Sequence, residues 1–253
     1  MKRARTPGVR RFPLGCGETG QAMAEYLIVL PSLLLLVLGA LQFALVFMAK
    51  STLDLAAFDG ARNGALYDAS TTSIQEGVAR GLAPLYQRGM AGSGPSLAGV
   101  ATAEADALLA AKNPATVDIE QINPSASAFQ DFATAISFAD DNGNLQTTTA
   151  IPNSGLLYQS TTPGTASNES IQDANLLKIH VHYCYPLIVP FVNTTIRIIM
   201  SVAGAPSTSS WVLSHATYIG SDTGTWDQAC YASGGLPLAA YGTALMQSPA
   251  IEN

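Results

Sequence analysis

The chain has 253 residues, enough for one sizeable domain or two small ones, and only 12% of them are charged, about half the share usual in a soluble globular protein. The net charge of −6 is unevenly placed: Lys2, Arg3, Arg5, Arg10 and Arg11 stand ahead of Gly20 against one acid, Glu18, while from Gln21 onward 7 basic residues meet 17 acidic ones. So acidic a body repels phosphates, which excludes nucleic acid as a partner.

From Tyr26 to Ala49 no residue is charged, and only Tyr26, Ser32 and Gln42 are polar. These twenty-four residues, at about 1.5 Å each, reach about 36 Å, more than the ~30 Å hydrocarbon core of a bilayer. LLLLVLGALQFALVF is apolar on every face, which suits lipid better than the half-wet surface of a soluble domain. Pro31 lies early in the run, where one lost backbone hydrogen bond is tolerable and a mild kink is expected. Basic residues before the run and acidic ones after it place the N-terminus in the cytoplasm. A cleavable secretory signal would have an apolar region of about 7–15 residues and then a small-x-small site. Here the pattern continues instead as STLDLAAFDGARNGALYDAS, so the helix is expected to stay with the protein.

Immediately before the apolar run the chain reads Gly20-Gln21-Ala22-Met23-Ala24-Glu25-Tyr26. A glycine, four residues, a glutamate and an aromatic, leading straight into an apolar helix, is the arrangement recognised by type IV prepilin peptidase. GQAMAEYLIVLPSLLLLVLGALQFALVFMAKSTLDLAAFDGAR resembles the N-terminal signature of the TadE/TadG-like pilus assembly proteins. That signature is G-Q-x-x-x-E-[FY], an apolar helix with an early proline, and an Ala-rich stretch closing on E-G-A-R. The resemblance covers residues 20–64, with one departure: Asp59 replaces the glutamate before Gly60-Ala61-Arg62 and keeps its charge. It implies cleavage between Gly20 and Gln21 by a prepilin peptidase. Glu25 and Tyr26 then stand at the start of the mature helix and act in assembly with other pilus or pilin subunits. On physical grounds alone, Glu25 is also favoured as a helix-capping acid, by roughly 0.3–1 kcal/mol from the helix dipole.

Residues 50–67 continue at helical spacing, with Ala56, Gly60 and Gly64 four apart on one face. Small residues at that interval allow close approach of another helix, either from the protein's own domain or from a partner. Asp59 and Arg62 are spaced to pair on the surface. A second helix is expected over about 71–88, then a Gly/Ser-rich break, GMAGSGPSLAG, and a short helix in ATAEADALLAAK stopped by Asn113-Pro114. TVDIEQINP alternates as a strand, and 139–175 reads as loop. The clearest strand is LLKIHVHYCYPLIVP, 176–190, where Leu177, Ile179, Val181 and Tyr183 alternate with Lys178, His180, His182 and Cys184. TTIRIIMSVAG (194–204) and SSWVLSHATYIGS (209–221) follow as further strands. DANLLKIHVHYCYPLIVPFV and IPNSGLLYQS carry a weaker likeness to the same family.

The expected architecture is α+β: a basic prepilin-type leader (1–20), a transmembrane helix (21–50), and an extracytoplasmic domain (51–253) of a few helices and a small antiparallel sheet. Cys184 and Cys230, the cysteines of the exported part, are expected to form a disulfide in an oxidising compartment, with two free buried thiols as the alternative. Cys16 in Leu14-Gly15-Cys16 mimics a lipoprotein box without the apolar region such a box follows. His180 and His182 fall on one side of a strand. That spacing suits a metal if a third ligand joins them, and otherwise a solvent-facing or capping role. Asp140-Asp141-Asn142-Gly143-Asn144 is oxygen-rich like a calcium loop but lacks the closing glutamate of an EF-hand. No metal or cofactor is expected. G-x-S-x-G, P-loop and H-E-x-x-H motifs are absent, which points away from an enzyme. The sequence therefore suggests a membrane-anchored structural component of a tight-adherence pilus system. The alternatives are an unprocessed signal anchor carrying a ligand- or surface-binding domain, and a domain released by signal peptidase after residue 49.

Overall fold

The computed structural model describes residues 19–87, 97–139, 145–189, 192, 194–195 and 223–252. One helix dominates it. α1 runs unbroken from Thr19 to Leu66, through Pro31, a length of about 72 Å at 1.5 Å per residue. Its first half is an apolar cylinder with little cover, and its second half is the central rod of the domain. There Ala49, Leu53, Ala56, Ala57, Ala61 and Ala65 are buried, a three-and-four spacing that turns one stripe of the helix inward.

α2 (Thr71–Tyr86) folds back along this stripe and buries Ile74, Val78 and Leu82. α3 (Leu97–Ala111) packs on α2 through Ala103, Ala107 and Ala111. β1 (Val117–Asn123) and the short α4 (Ala126–Phe132) follow, the latter capped by Ser125, whose hydroxyl accepts from the Ala128 N–H at 3.2 Å. β2 (Thr134–Ala139), β3 (Leu145–Ile151), the four-residue α5 (Ile171–Ala174) and β4 (Leu176–Pro186) come next. α6 (Thr223–Ser233), β5 (Gly235–Leu245) and β6 (Ala250–Ile251) end the described chain.

The strands make two antiparallel three-stranded sheets, ordered β1-β4-β5 and β2-β3-β6. β4 is the central strand of the first and is buried on both faces. Leu177 and Ile179 lie against α1, while His182 faces α6 through Trp226, their rings 5.5 Å apart. The C-terminal stretch caps α1. The Ala65 carbonyl, one of the orphan acceptors at the helix end, accepts from the Gln247 N–H at 2.8 Å, and the Asp68 N–H donates to the Ser248 hydroxyl at 2.7 Å.

This is the α+β architecture expected, with a second small sheet in addition. The region 139–175, expected as loop, contains β3 and α5. Its LQTTTAI carries β-branched threonines where an apolar alternation was sought, and these pair with β2, the Ser137 and Thr147 hydroxyls 3.1 Å apart. β4 finds its partners in β1 and β5. The residues expected as the next two strands, 194–204 and 209–221, lie outside the described residues apart from 194 and 195.

Candidate functional site

Gly20 and Gln21 belong to the first turn of α1, and Glu25 and Tyr26 lie one turn further on. Glu25 is exposed, as is Tyr26. Met23, Tyr26, Leu27, Leu30 and Pro31 line a shallow apolar groove at this end. From there the helix presents Leu27, Ile28, Leu33, Leu34, Leu36, Phe43 and Phe47 outward. The helix is long and apolar enough to cross a membrane. The Ser32 hydroxyl donates to the Val29 carbonyl at 2.8 Å, and Gln42, 1% exposed, accepts from the Val189 N–H at 2.9 Å through Oε1, while its Nε2 is buried with no hydrogen-bond partner among the described residues.

The small stripe is filled by the protein's own domain. A β-carbon on Gly60 would meet Val78 Cγ2 at 2.5 Å and Ile179 Cδ1 at 3.2 Å, and one on Gly64 would meet Ile74 Cγ1 at 2.5 Å and Leu177 Cδ2 at 2.8 Å. Ala56 faces Gly81 of α2 in the same way. Two backbones thus approach to a distance that larger side chains forbid. The ion pair on the outer side of this helix is Lys50 with Asp54. Asp59 and Arg62 instead share the wall of a polar hollow with Asn63 and Arg80.

Cys184 and Cys230 form a disulfide, Cα–Cα 5.6 Å, within the range such bonds require. The bond ties α6 to the lower end of β4. Beside it the solvent-facing role expected for His180 and His182 is overturned: they are 4% and 2% exposed. They do share one side of the strand, as period-two geometry requires, and on that side Trp226 of α6 lies against His182. His182 Nε2 and His180 Nδ1 are 2.9 Å apart, and His180 stacks on Tyr241 with ring centroids 4.2 Å apart. Burial pushes the pKa of His180 down to about 3, helped by His182, Lys178 and Lys50. Burial lowers that of His182 as well, against the opposing pull of Asp227, Asp118 and Glu120. Among the described residues no group of three or more His, Cys, Asp and Glu is placed to hold a metal ion. Asp140-Asp141-Asn142-Gly143-Asn144 lies outside the described residues.

Two features escaped the sequence: the Gln42–Val189 hydrogen bond, between residues 147 positions apart, and the contact of Trp226 in α6 with His182.

Residues 20–62 match the family model described as TadE-like protein. The match covers the apolar helix and its first extension, and both sheets lie outside it. No curated protein and no solved structure matches the chain.

Proposed function

We propose that the protein is a membrane-anchored, pseudopilin-like structural component of a tight-adherence (Flp-type) pilus assembly system, trimmed between Gly20 and Gln21 by a prepilin peptidase. The TadE-like match over residues 20–62 carries this reading. It coincides with a helix long enough to span a bilayer and begins at the glycine of the cleavage pattern.

The role is mechanical rather than catalytic. α1 leaves the membrane without a break and becomes the buried axis of the domain, gripped by α2, β4 and β5. A pull or push along the membrane helix reaches the domain through packed side chains, not through a flexible linker. The basic leader stays in the cytoplasm, and the acidic body lies outside the inner membrane. Glu25, at the start of the processed helix, meets another subunit of the assembly. An acid drawn toward mid-bilayer costs roughly 2.5–3.5 kcal/mol on insertion scales, so it needs a cationic partner there.

The test is processing in a host that carries the peptidase. Gly20→Val is expected to leave a full-length chain in the membrane where the unaltered protein is shortened by the leader. A Gly20→Val chain shortened like the unaltered protein, or an unaltered protein that itself keeps its leader, overturns the reading, and the second outcome leaves an unprocessed signal anchor.

A further inference from the structure

Three features of the molecule stand outside the processing site: the buried histidine pair, the polar hollow at Arg62 and Arg80, and the contact between Gln42 and the chain beyond β4. The third reaches furthest. Taking α1 as the membrane span, as the proposed function does, Tyr26 marks the inner interface, where aromatic side chains settle. Gln42 is sixteen residues on, about 24 Å along the axis, and still inside a hydrocarbon core of ~30 Å. Any tilt of the helix brings Gln42 deeper. Lys50, paired with Asp54, is another eight residues up, about 12 Å, at headgroup level.

The domain descends to the level of Gln42. β4 runs antiparallel to α1, with Leu177 beside Gly64, Ile179 beside Gly60, and Val189 hydrogen-bonded to Gln42. Leu187, Val189 and Val192 are buried, while Ile188 between them is 55% exposed. The neighbouring helix surface is also apolar and uncovered: Leu41, Phe43, Phe47 and Met48 are all exposed. We infer that the chain around Leu187–Val189 is seated in the outer leaflet, with Ile188 among the acyl chains of the bilayer.

The hydrogen bond supports a lipid setting over a wet one. In water the Val189 N–H would find a solvent acceptor and would need no side chain to meet it. In hydrocarbon an unpaired backbone N–H costs several kcal/mol, and irregular backbone is tolerated at that depth only when the protein itself supplies the partner. Gln42 supplies it through Oε1, while its Nε2 is left without a hydrogen-bond partner among the described residues. The uncovered patch continues the lipid-facing surface of α1 without a break, which identifies its occupant as lipid.

The experiment uses the full chain with Cys16→Ser and the Cys184–Cys230 disulfide intact, leaving one added thiol for an environment-sensitive nitrobenzoxadiazole label. Labels go at Ile188→Cys, at Leu34→Cys in the span, and at Leu157→Cys, a residue 95% exposed in the domain. The protein is reconstituted in phosphatidylcholine–phosphatidylglycerol vesicles and quenched with acyl-chain nitroxide lipids or aqueous iodide. The labels at 188 and 34 are expected to lose most of their emission to the nitroxide lipids and little to iodide, with the reverse at 157. Iodide quenching at 188 alongside lipid quenching at 34 overturns the inference and leaves the membrane span intact. Iodide quenching at 34 overturns both.

Discussion

Gly60 of α1 faces Val78 of α2 so closely that a β-carbon on the glycine would stand 2.5 Å from Val78 Cγ2. The contact makes α1 and α2 one unit, and it makes the size of residue 60 a condition of the fold. Gly60→Leu is expected to lower domain stability by about 1–3 kcal/mol through overpacking, read by thermal unfolding in detergent. Val78→Ala in the same chain should recover part of the loss. Unchanged stability with lost assembly would assign the stripe to a partner helix instead.

The Cys184–Cys230 bond closes a separation of 46 residues, for which the chain-entropy relation gives about 4 kcal/mol. Cys230→Ser should lower the unfolding free energy by that order, and reductant should bring the unaltered protein to the same value in denaturant titrations. Proteolysis should then cut within α6 first, since the bond fastens that helix to β4. A variant as stable as the parent would show that the bond adds nothing.

The buried histidines make stability fall in acid. The folded-state pKa of His180, about 3, lies below its unfolded value near 6.5, so between these the unfolded chain binds the extra proton and stability rises with pH. At about 1.4 kcal/mol per pH unit for one group, acidification from 6.5 to 5 costs about 2 kcal/mol from His180 alone. The groups around the pair are Lys178 and Lys50 beside His180, and Asp227, Asp118 and Glu120 around His182. His180→Phe, which keeps a ring against Tyr241, should flatten much of the slope of stability against pH. An unchanged slope would show that other groups carry it.

Asp131 organises the loop before α5. Its carboxylate accepts from the Ser167 N–H at 2.7 Å and hydroxyl at 2.8 Å, and from the Ala166 N–H at 3.0 Å. These donors, the Ser167 backbone first, hold its pKa below the usual carboxylate value. The ordering is therefore present above the ordinary carboxylate pKa and is lost as pH falls through the lower folded value. Asp131→Asn should speed hydrogen exchange of the Ala166 and Ser167 amides at neutral pH, and the difference from the parent should shrink in acid. Equal protection at neutral pH would remove Asp131 from that role.

The parts legible in the sequence were those specified by local pattern. The uncharged run after Tyr26 announced a bilayer-length helix, the alternation around His180 announced β4, and the spacing of Ala56, Gly60 and Gly64 announced a close helix contact. β5 was not legible, because GLPLAAYGTAL is built from small residues and proline with little β preference. Its strand form comes from pairing with β4 and from Gly242, whose missing side chain admits the Ala57 backbone. The histidines showed which side of the strand they share but not that Trp226 of α6 packs on His182 there, since that depends on a helix more than 40 residues away. Gln42 looked like a lone polar residue in an apolar run, and its partner Val189 carries no sequence mark because the donor is backbone.

The most direct measurement is the N-terminal sequence and intact mass of the protein taken from membranes of a host with the pilus system. The account predicts a chain that begins at Gln21, retains α1 and keeps the disulfide. A chain beginning at Met1 or Met23, or one starting beyond Ala49, would contradict it.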